Sequence, residues 1–164
     1  MARALRPVTL DFIDSAPIRM AFTTTARAAP GAVYRALAEE VTGWPRWFGA
    51  VTLARPTQGG AGREIRLRGG VRFQETIMAA DPEQRYAYRV DGTNAPGVLA
   101  LLEEWRLDPA GTGTRVRWTF AADGNAPFRL ALTMAQAGLG LSFRQAVRSL
   151  DGLLTPQASR RGRQ

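Results

Sequence analysis

The stretch that decides the fold covers residues 113–154 and reads GTRVRWTFAADGNAPFRLALTMAQAGLGLSFRQAVRSLDGLL. Up to Asp123, large apolar residues alternate with arginine and small residues, which is the period of two expected for a strand with one buried face. After Asn125 the apolar residues recur at helical spacing, and Pro127 suits the first turn of a helix. The stretch therefore predicts a strand followed directly by one long helix over residues 127–154.

This helix is expected to pack one face against the rest of the chain. The stripe that should face the core consists of Leu132, Gln136, Leu139, Phe143, Val147, Leu150 and Leu154. Gln136 is the polar member of the stripe and could offer a hydrogen bond to a bound molecule. Gly138 and Gly140 each lower helix stability by about 1 kcal/mol relative to alanine, so they indicate close packing of the helix, a bend, or room beside a ligand, and close packing is the favoured explanation.

Upstream of this stretch, six strands are predicted between residues 50 and 123, separated by five turns rich in Gly, Pro, Asp and Asn. Another strand is predicted over residues 18–25. Between these two regions, Pro30 opens a short helix, and the aromatic block at residues 44–48 (WPRWF) predicts a second one. Short connections favour antiparallel pairing. The prediction is an α+β domain with a seven-stranded antiparallel sheet, two short helices after the first strand, and a long C-terminal helix.

Length and composition limit the possible classes of protein. With 164 residues, 45% of them apolar, the chain fits a single domain over residues 1–154, followed by a basic tail over residues 155–164 that we expect to be mobile. The chain has no cysteine and no histidine, and all 22 basic residues are arginine. Thiolate, imidazole and lysine chemistry are therefore excluded, and neither a metal site nor a cofactor is expected.

The formal charge of +8 concerns solubility and weak attraction rather than fold. No apolar run approaches the roughly 20 residues of a membrane span, and the first residues do not resemble a signal peptide. We therefore expect a cytoplasmic protein, and the sequence leaves open whether it is a monomer or a homodimer.

Several segments, in this order, resemble the polyketide cyclase/dehydratase and lipid-transfer superfamily, also called START-like, Bet v 1-like or SRPBCC. They are residues 29–37 (APGAVYRAL), 44–48 (WPRWF), 73–77 (FQETI) and 104–107 (EWRL), within a match over about residues 18–154. The resemblance implies a helix-grip fold, in which the sheet curls around the long helix and leaves a cavity for an apolar small molecule. It implies no particular reaction, because this superfamily includes cyclases, dehydratases, lipid carriers, hormone receptors and co-chaperones.

Strand alternation sorts the side chains of the sheet by face, with the aromatic and aliphatic rows taken as inward. One such row contains Leu99, Leu101, Glu103, Trp105 and Leu107. The residues predicted to line a ligand cavity are Phe73, Tyr88, Leu101, Trp105, Trp118, Gln136, Leu139 and Phe143.

Glu75 and Glu103 interrupt inward rows that are otherwise apolar. A carboxylate in such a place must be paired, hydrogen-bonded or protonated. Counting across the turns sets Glu75 opposite Val90, and places Glu103 opposite Trp118 with Tyr86 on its other side. The two glutamates are too far apart for a two-carboxylate mechanism. The candidate catalytic residues are Glu103, Glu75 and Tyr86. The alternative to a catalytic role is a buried structural network in which each glutamate binds an arginine or a tyrosine.

Arginines dominate the opposite, outward face of the sheet. They are Arg66, Arg68, Arg72, Arg85, Arg89, Arg106, Arg115 and Arg117, with Glu64 and Glu104 among them. Sheets that bind single-stranded nucleic acid place aromatic residues among the basic ones, whereas here the aromatic residues point inward. We therefore expect no specific binding of nucleic acid.

The function favoured at this point is binding of a hydrophobic small molecule, of polyketide, lipid or aromatic type, in an internal cavity. A cyclase or dehydratase activity remains open, because Glu75, Glu103, Tyr86 and Tyr88 could move protons. A carrier or sensor without catalytic activity is the first alternative, and the missing histidine favours binding over catalysis. A co-chaperone that uses the arginine face is the second alternative.

Overall fold

The computed structural model describes residues 2–156 and consists of one antiparallel sheet with a long helix against its inner face. The strands are β1 (Arg3–Ala4), β2 (Ile18–Ala26), β3 (Val51–Thr57), β4 (Gly62–Leu67), β5 (Arg72–Asp81), β6 (Arg85–Thr93), β7 (Val98–Ala110) and β8 (Gly113–Gly124). Their order in the sheet is β2-β8-β7-β6-β5-β4-β3, and the short β1 pairs with β6. The seven predicted strands are confirmed, with β1 as an addition.

The helices are α1 (Phe12–Ser15), α2 (Pro30–Tyr34) and α3 (Ala126–Leu154). Between α2 and β3 the chain forms a π-helical turn (Arg35–Glu39) and a 3-10 helix (Val41–Arg46). These two segments and α2 occupy the place predicted for two short helices. The Asn125 side chain caps α3 by accepting a hydrogen bond from the backbone N–H of Phe128 at 3.1 Å, which explains where the long helix begins. The helix-grip architecture is therefore confirmed.

The fully buried residues of α3 lie in its second half, whereas Phe128, Leu132 and Leu139 nearer its start are partly buried against the core. The buried residues of the helix are Gly140, Phe143, Ala146, Val147 and Leu150. At Gly140 a Cβ atom would come within 3.0 Å of the Phe22 ring, so glycine allows the helix to lie close to β2. In the first half Met134 is 78% exposed and Gln136 is also exposed. The prediction that Gln136 faces the core is therefore wrong, because Gln136 lies on a surface pocket that it shares with Phe22 of the edge strand β2.

A small second core lies on the outer face of the sheet. There Val8, Phe12 and Ile13 pack against small and aliphatic residues of the central strands, namely Ala100, Leu102 and Ala121. The residues that precede α1 are tied down by backbone hydrogen bonds from Leu5 to Asp91 at 2.8 Å and from Arg6 to Leu99 at 2.9 Å. No helix or strand was predicted before residue 18. The outer face therefore carries an apolar patch as well as the predicted arginines.

Leu99 is the one member of its predicted inward row that the structure turns outward, with 51% of its surface exposed. The pairing of β7 with β8 is irregular between Val98 and Ala100. An irregularity of this kind changes which side chains face inward. Val98 consequently belongs to the inner core in place of Leu99.

Candidate ligand site

Aromatic rings fill the space between the sheet and α3. The Trp105 and Phe143 ring centroids are 5.7 Å apart, and those of Trp105 and Trp118 are 5.8 Å apart. From the 3-10 helix, Trp44 stands edge-on to Trp105 at 5.8 Å. Such arrangements add roughly 0.5–1.5 kcal/mol per pair beyond the burial of the rings. The aromatic block at residues 44–48 thus closes one end of the core.

A carboxylate network lies inside this aromatic core. The Tyr88 hydroxyl donates a hydrogen bond to Glu103 Oε2 at 2.7 Å, and the Trp118 indole N–H donates to the same oxygen at 3.0 Å. The Trp105 indole N–H in turn donates to the Tyr88 hydroxyl oxygen at 3.0 Å. Burial raises the pKa of Glu103, while its hydrogen bond from Tyr88 and the charge of Arg63 act in the opposite direction. The donors therefore compensate part of the cost of burying this carboxyl group.

Next to this network, Arg63 of β4 forms an ion pair with Glu75 of β5. The two residues are direct cross-strand partners, and each side chain is only 2% exposed. The guanidinium carbon lies 3.8 Å from the centroid of the Tyr88 ring and 4.3 Å from that of Trp44, so aromatic faces also hold the cation. Arg63 is therefore held by the Glu75 carboxylate and by the faces of two rings, Tyr88 and Trp44, that stand nearly perpendicular to each other.

The ion pair has an unusual electrostatic balance. Burial raises the pKa of Glu75 to about 7, although Arg63 acts to lower it and Glu103 raises it further. For Arg63, burial acts to lower the pKa, but the net shift is upward because Glu75, Tyr88 and Tyr86 stabilise the cation. One guanidinium thus faces two buried carboxyl groups, and Glu75 is the one that can gain or lose a proton near neutral pH.

A pocket of about 260 Å³ opens at the edge of the sheet and ends at this ion pair. It lies where β3 and β5 end and where β4 and β6 begin, under α2 and the two helical segments that follow it. Its lining residues are Tyr34, Ala38, Glu39, Val41, Thr42, Pro56, Gly60, Gly62, Arg63, Ile77, Ala80 and Tyr86. We call it the mouth pocket. Its rim is exposed at Glu39 and Thr42, and its inner end is buried at Arg63 and Tyr86.

The eight predicted cavity residues fall into three groups by burial in the structure. Five of them, Tyr88, Leu101, Trp105, Trp118 and Phe143, come together in the buried core. Phe73 and Leu139 are partly buried against that core, and Gln136 is exposed. The rings of the first group are in contact with one another, so a ligand among them would have to displace side chains. Their role in binding stays a prediction.

Glu75 and Glu103 face inward as predicted, but the cross-strand neighbours of Glu103 differ from the predicted ones. Glu75 pairs with Val90 as predicted, whereas Glu103 pairs with Phe120 and Tyr88 rather than with Trp118 and Tyr86. The predicted alignment of β7 is thus shifted by two residues against both neighbours, which leaves every side chain on its face. Glu103 is buried and hydrogen-bonded as expected, but its tyrosine partner is Tyr88. Tyr86 lies instead on the wall of the mouth pocket.

The site residues predicted from the sequence do not include Arg63, which links the mouth pocket to the buried glutamates. The signal was present in β4, where Arg63, Ile65 and Leu67 alternate with their neighbours and so share one face of the strand. The glycine-rich segment at residues 59–62 marks a turn, and Arg63, which directly follows it, was assigned to neither face of the sheet. A lone arginine opposite Glu75 in an inward row would have predicted the ion pair.

Comparison with known proteins agrees with this architecture. The sequence profile of the family described as polyketide cyclase / dehydrase and lipid transport matches residues 17–155. Uncharacterised proteins of Mycobacterium tuberculosis and Mycobacterium bovis are 31% identical over 148 residues, which cover 87% of this chain and 88% of each relative.

Solved structures with this fold are much less similar in sequence. A START superfamily protein from Mycobacterium smegmatis superposes with a TM-score of 0.67 at 10% identity, covering 83% of this chain and 96% of that chain. The Zhui aromatase/cyclase from Streptomyces sp. R1128 superposes with the same TM-score of 0.67 at 20% identity, covering 84% of this chain and 93% of that chain. Identity this low supports the fold alone. No helix in the described part of the chain is long and apolar enough to cross a membrane. On the evidence of the profile and of the mycobacterial relatives, the chain belongs to the polyketide cyclase/dehydrase and lipid transport family.

Proposed function

We propose that this protein binds a hydrophobic small molecule through the mouth pocket. The observation that carries the proposal is a pocket with apolar and aromatic walls, formed by Tyr34, Val41, Ile77 and Tyr86, that leads from the surface to a buried charged group. Ligand sites combine mostly apolar walls with a few polar groups that fix orientation. With about 260 Å³ of space, the pocket suits one ring system or a short chain unless the aromatic core opens further.

Isothermal titration calorimetry with a neutral aromatic probe, 2-naphthalenemethanol, tests the proposal. Ala38→Trp would fill the pocket from its wall, and Ala21→Trp, an equal change at an exposed site on β2, is the matched control. We expect the first variant to lose binding at least tenfold and the second to bind like the wild type. Equal affinity in all three proteins would exclude the mouth pocket as the site.

Native mass spectrometry of freshly purified protein complements this experiment. A retained apolar molecule supports the binding function and identifies the ligand directly. We expect the Ala38→Trp protein to carry less of this molecule than the Ala21→Trp protein.

A cyclase or dehydratase activity is the second candidate function, and Glu75 is the observation that favours it. A general base works best when its pKa is near the operating pH, and burial raises the pKa of Glu75 to about 7. Beside it, the Arg63 cation could stabilise an enolate. In this case Glu75→Gln abolishes turnover of a bound polyketide-like substrate and leaves its affinity within about threefold of that of the wild type. For a carrier or sensor, the same variant changes affinity or stability only.

A further inference from the structure

The guanidinium of Arg63 has a donor that the fold does not use. Its Nε atom pairs with Glu75, but Nη1 is buried and has no hydrogen-bond partner among residues 2–156. Nη1 is the only buried side-chain nitrogen or oxygen in the described residues with this property. Buried polar groups are almost always satisfied, so an exception at the end of a pocket calls for an explanation.

We propose that the mouth pocket selects hydrophobic carboxylic acids, whose carboxylate accepts a hydrogen bond from Arg63 Nη1, and that their binding takes up one proton at Glu75. This inference rests on the proposed function, because it names the class of ligand for the same pocket. The planar fork of N–H donors in arginine matches the oxygens of carboxylates and phosphates, and of these the carboxylate brings the smaller charge to a buried site.

The geometry of charges explains why a proton must accompany the anion. Above about pH 7, where Glu75 of the free protein is ionised, it already neutralises Arg63, so a carboxylate would add a second negative charge to a buried site. Such a charge is expensive unless it is balanced. Protonation of Glu75 restores the balance and frees the guanidinium for the ligand.

The other titratable groups around the pair do not replace Glu75 in this role. They are Tyr86, Tyr88 and Asp91 from β6, Glu103 from β7, Tyr34 from α2, and Glu39 on the pocket rim. Burial raises the pKa of the three tyrosines above 10, so they are already neutral. Glu103 already accepts hydrogen bonds from Tyr88 and Trp118. Glu75 is the carboxylate that pairs directly with Arg63, and burial raises its pKa to about 7.

Two probes with the same ring system separate this inference from the proposed function. The first is 2-naphthoate, which carries the carboxylate, and the second is the neutral 2-naphthalenemethanol. We expect calorimetry to give at least tenfold tighter binding of naphthoate than of the alcohol at pH 6. Between pH 6 and pH 8 the affinity for naphthoate should fall about tenfold, because Glu75 is mostly ionised at pH 8 and must take up a proton when naphthoate binds. At pH 8, buffers of different ionisation enthalpy should report uptake of about one proton.

Variants assign these effects to residues. Glu75→Gln should keep the preference for naphthoate and lose both the pH dependence and the proton uptake. Arg63→Met combined with Glu75→Leu removes both charges and should bind the acid and the alcohol equally. Arg55→Met, which alters an exposed arginine on β3, is the control and should behave like the wild type.

Each result decides between the two proposals. Equal affinity of the wild type for both probes, or a preference for naphthoate that survives the double variant, overturns the inference and leaves the proposed function standing. Naphthoate binding without proton uptake overturns the coupling to Glu75. Failure of both probes to bind counts against the pocket itself, and the inference falls with it.

Discussion

Glu64 and Glu75 lie on neighbouring strands and each pairs with arginine, yet the sheet places them in opposite environments. Glu64 on the outer face accepts hydrogen bonds from Arg55 and from Arg66, the latter at 2.8 Å, and these two arginines are 57% and 40% exposed. Glu75 on the inner face pairs with a fully buried Arg63. The pKa of Glu64 is lowered by its hydrogen bonds, whereas that of Glu75 is raised by burial to about 7.

The difference shows what water contributes to an arginine–glutamate pair. On the outer face the charged groups remain hydrated, so pairing stabilises the carboxylate at little cost. On the inner face both ions lose their hydration, and attraction between them does not fully compensate. The same two residue types therefore give an ordinary surface contact on one side of β4 and a proton-exchanging group on the other.

The largest loss of stability should follow from removing only the arginine of the Arg63–Glu75 pair. Arg63→Met leaves the Glu75 carboxylate without its cation, and we expect a loss of about 3–5 kcal/mol in the free energy of unfolding at pH 8. Adding Glu75→Leu should restore most of this loss, because a well-packed apolar pair replaces two buried charges. Chemical denaturation of both variants measures the two values. A double variant as unstable as the single one would mean that Arg63 acts through packing instead.

The second prediction concerns pH and isolates Glu75. Its pKa is about 7 in the folded protein and near the ordinary value of 4.5 when unfolded. The folded state then holds the proton more tightly, so the stability contributed by this group is present below pH 4.5 and is lost as the pH rises to about 7. The shift corresponds to roughly 3 kcal/mol. Measured against pH, the stability of wild type minus that of Glu75→Gln should fall over this window and then stay flat.

A smaller effect is expected at Glu103. Glu103→Gln keeps an oxygen that can accept from Tyr88 and Trp118 but loses the charge, so we expect a loss of about 1–2 kcal/mol with ligand affinity retained. Glu103→Leu leaves both donors unpaired and should lose more than Glu103→Gln does. Thermal unfolding of the two variants gives the comparison. Should Glu103→Gln abolish a measured turnover while the protein stays folded, Glu103 would have a catalytic role.

The smallest effect belongs to the outer face. Glu64→Gln should lower the stability by less than about 1 kcal/mol, and added salt should reduce the difference further. Because the folded pKa of Glu64 is lowered, its contribution is present above pH 4.5 and is lost as the pH falls, opposite in sign to that of Glu75. Parallel denaturation curves at pH 4 and pH 7 test this sign. A loss as large as that of Arg63→Met would remove the contrast between the two faces.

Most of the fold was predictable because periodicity reports which side of an element is buried. The change of period after Asn125 located α3 to within one residue, and the turn residues separated all the long strands. The residues before Ile18 were not predictable in this way. They form a strand of two residues and a helix of four, too short to show a period. The strand is held by pairing with β6 and the helix by burial against Ala100 and Ala121.

The site was less predictable than the fold, and for a physical reason. Alternation correctly placed Glu75 and Glu103 inward, but it cannot fix which residues face each other across a turn of uncertain length. The partner of Glu103 was therefore displaced from Tyr88 to Tyr86. The exposure of Gln136 was equally hard to predict, since Gln136 continues the helical stripe but lies on a surface pocket beside the edge strand β2.

The clustering of indole rings also has an optical consequence. All four tryptophans of the chain belong to one buried cluster, with Trp44 and Trp47 only 4.7 Å apart and Trp105 and Trp118 5.8 Å apart. Near-ultraviolet circular dichroism depends on such fixed ring packing and disappears when the packing loosens. Because no indole lies at the surface to dilute the signal, this spectrum monitors the interior alone. A ligand that parts the rings would thus change the spectrum directly, whereas one in the mouth pocket would act on it through Arg63, which lies over the Trp44 ring.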